Sequence, residues 1–265
     1  MIAILLSVYA TAYLCAALRE RGRRGWGWLR IASTLAGAGV GVVALAPPLA
    51  AWAVHDLRGH MVQHLLLGMF APLGLVLGAP GTLLLRTLNV GAARRVTKIL
   101  RSRVVGVITH PATAVTVDVG ALYLLFLTPL YAALHTRHAL HDFVLLHFLL
   151  AGSLLAWAIL RPDPSPHRPT FAVRTGALIV AIAAHSSLAK IMYAYGWPRG
   201  THHSLEEIRA AAQIMYYGGD AAELLLAIAL FAGWYRARGR AARRSRAGGQ
   251  PMASGIPGAP LRVRA

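Results

Sequence analysis

The chain has 265 residues, 57% of them hydrophobic and 14% charged, whereas a soluble domain is about 45–50% apolar and 25% charged. The formal net charge of +18 would suggest a nucleic-acid partner in a soluble protein, but here the basic residues lie in short clusters between long apolar runs. This composition excludes a soluble enzyme and argues against a nucleic-acid partner. It predicts an all-α polytopic membrane protein in the lipid bilayer.

A membrane-spanning helix needs about 20 mostly apolar residues. Seven runs meet this condition, at about 1–18, 29–50, 61–84, 105–130, 140–160, 173–195 and 211–235. We therefore predict a seven-helix transmembrane domain over residues 1–235. The remaining residues, 236–265, are rich in Arg and contain Gly and Pro, which predicts a disordered basic cytoplasmic tail that is attracted to anionic lipid.

The distribution of basic residues predicts the orientation of these helices, because cytoplasmic loops of membrane proteins are enriched in Lys and Arg. The connections after the first, third and fifth runs, together with the tail, hold 22 of the 27 Lys and Arg residues. This asymmetry predicts an N-terminus outside the cell and a C-terminus in the cytoplasm. On this topology ten of the twelve histidines fall on the outer side, and His110 and His167 are the exceptions.

The third run begins with His60-Met61-Val62-Gln63-His64. Residues four apart project from one face of a helix, so His60 and His64 present two imidazoles together. Met61 offers an optional thioether ligand. This is half of a metal site, because a complete site needs further ligands from another helix. The single cysteine, Cys15, excludes a Cys-rich metal site.

The fifth run begins with His-Ala-Leu-His-Asp at 138–142 and could supply the missing ligand. We rank His141 first, and His138 or His147 next. Asp142 has two interpretations, either as a cap of the helix N-terminus or as a carboxylate that orients a ligating imidazole.

Polar residues also lie within three later runs. Asp118, Asp220 and Glu223 are carboxylates in apolar surroundings, which makes each a candidate functional group. Asp220 and Glu223 are three residues apart, so we expect them to share a face turned to the bundle interior. An ion pair with Lys190 is the competing structural explanation. For His185 the alternatives are a metal ligand and a buried, hydrogen-bonded histidine.

Several stretches together resemble a known family. They are His-Met-x-x-His at 60–64, Pro72 with Leu-Gly-Ala-Pro at 77–80, Ala-Gly-Ser-Leu-Leu-Ala-Trp at 151–157, and Gln-Ile-Met-Tyr-Tyr-Gly-Gly-Asp at 213–220. In this combination the chain resembles the CtaG-like cytochrome c oxidase assembly factors, over about residues 30–235. His60, His64, Gln213 and Asp220 lie in the matching stretches. Tyr216 and Tyr217 depart from the Trp associated with the family.

The resemblance implies a seven-helix protein of the bacterial cytoplasmic membrane that assists the maturation of haem–copper oxidases. Its expected partners are oxidase subunits and extracytoplasmic copper chaperones, and we expect no enzymatic turnover. Imidazole and thioether ligands favour copper as the metal. Two alternatives remain, a haem-handling protein with axial histidines among His64, His147 and His185, and a proton- or metal-coupled transporter with a carboxylate relay.

Overall fold

The computed structural model describes residues 1–134, 136–163 and 169–248. These residues form helices and turns with no strand among them, which confirms the all-α prediction. In chain order the helices are α1 (Ile2–Arg24), α2 (Trp28–Ala44), α3 (Pro47–His55), α4 (Leu57–Leu65), a π-helical segment (Leu66–Phe70), α5 (Ala71–Leu77), α6 (Pro80–Thr87), α7 (Val90–Leu100), α8 (Arg103–Ile108), α9 (Pro111–Phe126), α10 (Leu130–Leu134), α11 (His138–Leu160), α12 (Phe171–Tyr195) and α13 (Leu205–Gly248).

Five helical stretches are long and apolar enough to cross a membrane: Ile2–Arg24, Leu57–Leu77, Ala139–Leu160, Phe171–Tyr195 and Leu205–Arg240. A sixth is the pair Trp28–Ala44 and Pro47–His55, which passes the same test but is bent by 51°. Helix α9 is apolar but has only 16 residues. The described part of the chain therefore contains five or six candidate spans and one shorter apolar helix, where the sequence predicted seven spans.

Prolines interrupt three of the predicted runs. Pro47, Pro80 and Pro111 each occupy the first position of a helix, where the missing N–H costs no hydrogen bond. The runs 29–50, 61–84 and 105–130 each contain the end of one helix and the start of another. For 61–84 the sequence Leu-Gly-Ala-Pro at 77–80 already predicts an end or a kink, and α5 does end at Leu77. Ala79, with φ at 52°, makes the turn between α5 and α6.

The start of α4 is held from two directions. The Asp56 carboxylate accepts a hydrogen bond from the Arg58 backbone N–H at 2.8 Å, as an N-terminal cap. Hydrogen bonds from the Arg58 side chain lower the pKa of this carboxyl below its usual range. From α13, Glu207 accepts a hydrogen bond from the Leu57 N–H at 2.8 Å. These contacts place the histidine pair of α4 at a defined position against α13.

The centre of the bundle is formed by α4, the π segment and α5. Helix α2 packs against α5, α11 packs against both α5 and the π segment, and α9 packs against α11 and α12. Residues of α13 up to Leu230 complete two apolar clusters, one with α9 and α10 and the other with α9, α11 and α12. The element that carries the histidine pair is therefore surrounded by helices.

The residues from Phe231 onward form a second unit. Within it, helix α13 continues to Gly248, beyond the boundary at 235 that the sequence predicted. The guanidinium of Arg238 lies 4.6 Å from the centre of the Trp234 ring. The rest of the predicted tail, 249–265, lies outside the described residues.

Candidate metal centre

His60 and His64 are both buried, with 2% and 3% of their surfaces exposed. Their spacing on α4 directs both into the protein, as the four-residue repeat predicts. The His60 ring lies in an aromatic environment, with ring centres at 6.0 Å from Phe126, 5.1 Å from Tyr131 and 6.4 Å from Phe148. His60 therefore packs mainly against rings contributed by α9, α10 and α11.

His64 faces a different environment. Its ring centre lies 4.5 Å from that of Phe148 and 6.1 Å from that of His185 on α12. Both ring nitrogens of His64 are buried without a hydrogen-bond partner, and the same holds for His185, which is 2% exposed. A buried imidazole normally has its hydrogen bonds satisfied, so two adjacent imidazoles without protein partners are suited to bind water, an ion or a proton between them.

Helix α11 contacts the histidine pair, as a metal site there requires, but through a phenylalanine. Phe148 is the α11 residue that packs on both rings, while His147 is half-buried and stacks on Phe143 with ring centres 6.3 Å apart. Adjacent residues point about 100° apart on a helix, so Phe148 and His147 cannot both face α4. His141 is half-buried and Asp142 is exposed. The His138 side chain lies outside the described part of the structure.

Among the residues that the structure describes, no three His, Cys, Asp or Glu side chains come close enough together to hold a metal ion. Of the predicted α11 ligands, His141 and His147 therefore do not form such a group with His60 and His64, whereas His138 is outside this comparison. Met61 is fully buried in the core cluster with Leu57.

A small cavity of about 40 Å³ lies beside His64. The side chains with polar or sulfur atoms that line it come from five elements: His64, Met69, Asp118, His185 and Glu223. The other lining residues are apolar or glycine. Gly152 of α11, with Ala181 and His185 of α12, lines the cavity well inside these helices, so the cavity lies deep in the bundle. The sequence had predicted a metal near the outer face.

The cavity has room for a few water molecules or one ion, because a buried water needs a cavity of about 10–15 Å³. It is far below the roughly 300–1,000 Å³ of pockets that hold drug-sized ligands. The chemistry it offers is therefore that of a small cation or a proton, with two imidazoles and two carboxyl groups around it.

Glu223 is 5% exposed, which confirms that this face of α13 turns inward. Its carboxylate oxygen lies 4.0 Å from Nδ1 of His185. Asp220 is half-buried and accepts a hydrogen bond from the Ser186 hydroxyl at 3.4 Å. Helices α12 and α13 approach closely here, because a Cβ at Gly219 would come within 2.2 Å of the His185 ring.

Two other residues singled out from the sequence have exposed side chains. Lys190 is exposed and lies over the Tyr216 ring at 5.4 Å, so it does not pair with the carboxylates of α13. Gln213 is exposed, since it lies on the side of α13 opposite the buried Ala211, Ala212 and Met215. Neither residue belongs to the cavity.

Met69 is a lining residue that the sequence did not reveal. It lies in the π segment, whose wider turn changes the direction of the side chains after His64. The only sign of this π segment in the sequence was Pro72, which has no N–H to donate to the Gly68 carbonyl. That carbonyl faces α11, where a Cβ at Gly152 would lie 1.8 Å from its oxygen.

Comparison with known proteins identifies the family. The family model for the cytochrome c oxidase caa3 assembly factor, Caa3_CtaG, matches residues 9–237. The chain belongs to this family. The Caa3_CtaG match includes the histidines of α4 and α12 and the carboxylates of α9 and α13, so the whole cavity lies inside the family region.

Three similar mycobacterial proteins are described as uncharacterized and are much longer than the matched region. The uncharacterized proteins Mb0105 of Mycobacterium bovis and MT0111 of Mycobacterium tuberculosis are each 36% identical over 185 residues, a match that covers 67% of this chain and 28% of each relative. The uncharacterized protein ML1998 of Mycobacterium leprae is 37% identical over 134 residues, covering 48% of this chain and 20% of the relative. The chain thus spans less than a third of the relatives' length. No solved structure matches this Caa3_CtaG chain.

Proposed function

We propose that the protein assists the assembly of a haem–copper cytochrome c oxidase in the bacterial cytoplasmic membrane, and that it handles copper as cargo in the buried cavity. One observation carries the proposal. His64 and His185, from different helices, bring two buried imidazoles without hydrogen-bond partners to one small cavity. Oxidase subunits, and copper chaperones that deliver the ion, are the partners this function requires.

The chemistry of the lining favours copper over hard ions. Imidazole and thioether ligands suit copper, and Met69 lines the same cavity as the two histidines. Magnesium and calcium would need clusters of oxygen ligands. Glu223 and Asp118 line the same cavity, and each carboxyl group can release its proton when a cation enters, which would offset part of the cost of bringing that cation into the bundle.

The spacing of the two rings is also suitable. A metal–imidazole bond is about 2.0–2.1 Å long, and a ring nitrogen lies roughly 1.1 Å from the ring centre. When two imidazoles bind one ion from opposite sides, their ring centres are therefore roughly 6 Å apart. The centres of His64 and His185 are 6.1 Å apart. Rotation of the rings would therefore allow both to bind one ion while the helices keep their spacing.

A second candidate function is a proton- or metal-coupled transporter, because Asp118 and Glu223 share the cavity with the histidines. Copper or proton flux into proteoliposomes that contain the purified chain would favour transport over delivery to a client. The haem alternative has less support, since a cavity of about 40 Å³ does not accommodate a porphyrin.

Deletion of the gene tests the assembly function. We expect the oxidase purified from the deletion strain to keep its haem and to lose copper, because the cavity can hold a copper ion but not a haem. The copper-to-haem ratio, determined by elemental analysis and by absorption spectra, measures this. Expression of the wild-type chain should restore the ratio. An oxidase with normal copper, or one that loses haem instead, would refute the proposal.

We further propose seven spans, with the bent pair α2–α3 and the short α9 each counted as one, the N-terminus outside and the C-terminus in the cytoplasm. The 22 basic residues on one side support this arrangement. Reporter fusions after Arg24, Arg103 and Arg246 should all report a cytoplasmic location. If any one of them reports an external location, the span count or the orientation is wrong.

A further inference from the structure

A basic groove lies apart from the candidate metal centre. It has a volume of about 610 Å³ and is lined by residues from the end of α1, from α6 and from α7. Five of these residues carry a positive charge: Arg24, Arg86, Arg94, Lys98 and Arg101. The others are apolar or uncharged, including Leu85, Leu88 and Val90.

Within the described ranges, the positive charges of the groove form no ion pair with an acidic residue. No Asp or Glu occurs between Asp56 and Asp118 in the sequence, and no ion pair of the described residues involves a groove residue. Arg86 instead lies 5.3 Å from the Trp26 ring, against the connection after α1. Several like charges around one concave surface repel each other, and an anion bound between them would offset this repulsion.

Helix α7 has the character of a helix that lies in a membrane interface. Arg94, Arg95 and Lys98 occupy one side, Val96, Ile99 and Leu100 occupy the other, and no residue of α7 is buried. Ile99 is 63% exposed. Because short connections join α7 to apolar helices on either side, it lies close to the membrane surface, where a basic amphipathic helix inserts its apolar side.

We propose that this groove binds the headgroup phosphate of an anionic phospholipid. The guanidinium and ammonium groups would contact the phosphate, as Arg and Lys do in other phosphate sites. Exposed apolar side chains on α7 and α8, among them Ile99, Val104 and Val107, provide surface for the acyl chains. These apolar neighbours favour a lipid over a soluble phosphate compound. Lipid binding in this groove does not depend on copper handling in the cavity.

Lipid retention by the purified full-length chain tests the proposal. The detergent-solubilised protein is titrated with phosphatidylglycerol or with phosphatidylcholine, and bound lipid is counted by native mass spectrometry. The test variant is Arg94→Gln/Lys98→Gln/Arg101→Gln. The control, Arg23→Gln/Arg95→Gln/Arg103→Gln, removes the same charge from exposed positions nearby that do not line the groove. Thermal unfolding midpoints check that both variants fold.

We expect the wild type to prefer phosphatidylglycerol, and the groove variant to bind it at least about tenfold more weakly, since the variant lacks three basic residues that attract an anionic headgroup. The control should keep most of the affinity. Equal loss in both variants would show a diffuse charge effect and overturn the proposal. So would displacement of the lipid by millimolar inorganic phosphate. If the triple variant does not fold, the single variants Arg94→Gln and Arg95→Gln give the same comparison.

Discussion

Replacement of both His64 and His185 by Ala is expected to abolish copper binding by the purified protein. The two imidazoles are the only ring nitrogens that line the cavity among the described residues, and neither carboxylates nor a thioether alone form a good copper site. The affinity should fall at least about 100-fold, which corresponds to roughly 2.7 kcal/mol. Copper stoichiometry, measured by elemental analysis after purification under reducing conditions, reports the result.

The matched control is His55→Ala/His202→Ala, which removes two exposed histidines and should leave copper binding unchanged. His64 belongs to both candidate ligand sets, so His185→Ala is the variant that separates them, and it is compared with the variant His60→Ala/His64→Ala. If it loses copper while His185→Ala alone keeps full affinity, the ligands are those expected from the sequence on α4 and α11. If the His64/His185 double variant is folded and retains full stoichiometry, the cavity does not hold the ion.

Substitution of Gly152 by Ala should strongly destabilise the fold. The added Cβ would lie 1.8 Å from the Gly68 carbonyl oxygen, so α11 and the π segment would have to move apart. Overpacking typically costs 1–3 kcal/mol and occasionally more, and here the obstacle is backbone that cannot rotate away. We expect about 3 kcal/mol or more, detected as a lower thermal unfolding midpoint in detergent.

Gly176→Ala on α12 is the control, because no atom lies within 4 Å of the position that its Cβ would take. It should leave the stability unchanged or raise it by up to about 1 kcal/mol, since Ala favours a helix over Gly. Similar unfolding midpoints for the two variants would mean that α11 and the π segment are not in close contact.

Helix content and the apolar stretches could be predicted from sequence, because the rule that lipid imposes on a spanning helix is local. About 20 consecutive apolar residues suffice, and Ile2–Arg24, Ala139–Leu160 and Phe171–Tyr195 satisfy it without reference to any neighbour. The breaks at Pro47 and Pro111 were missed, because an uncharged proline continues an apolar run but ends a helix.

The pairing of functional residues was decided by the tertiary structure. The four-residue spacing determined that His60 and His64 share a face, and the three-residue spacing did the same for Asp220 and Glu223. Which residue of another helix meets each face depends on helix rotation and depth. A rotation of about 100° separates Phe148 from His147. This rotation decides that the phenyl ring of Phe148, rather than the imidazole of His147, contacts His60 and His64.

The sequence by itself therefore determined the class of the protein, its apolar helices, the family it resembles and the chemical types available for a site. Only the packing of α12 and α13 against α4 brought His185 and Glu223 to His64 around one cavity. The physical reason is that hydropathy and residue spacing are properties of a single helix, whereas a site between helices depends on close approaches such as Gly152 to Gly68 and Gly219 to His185.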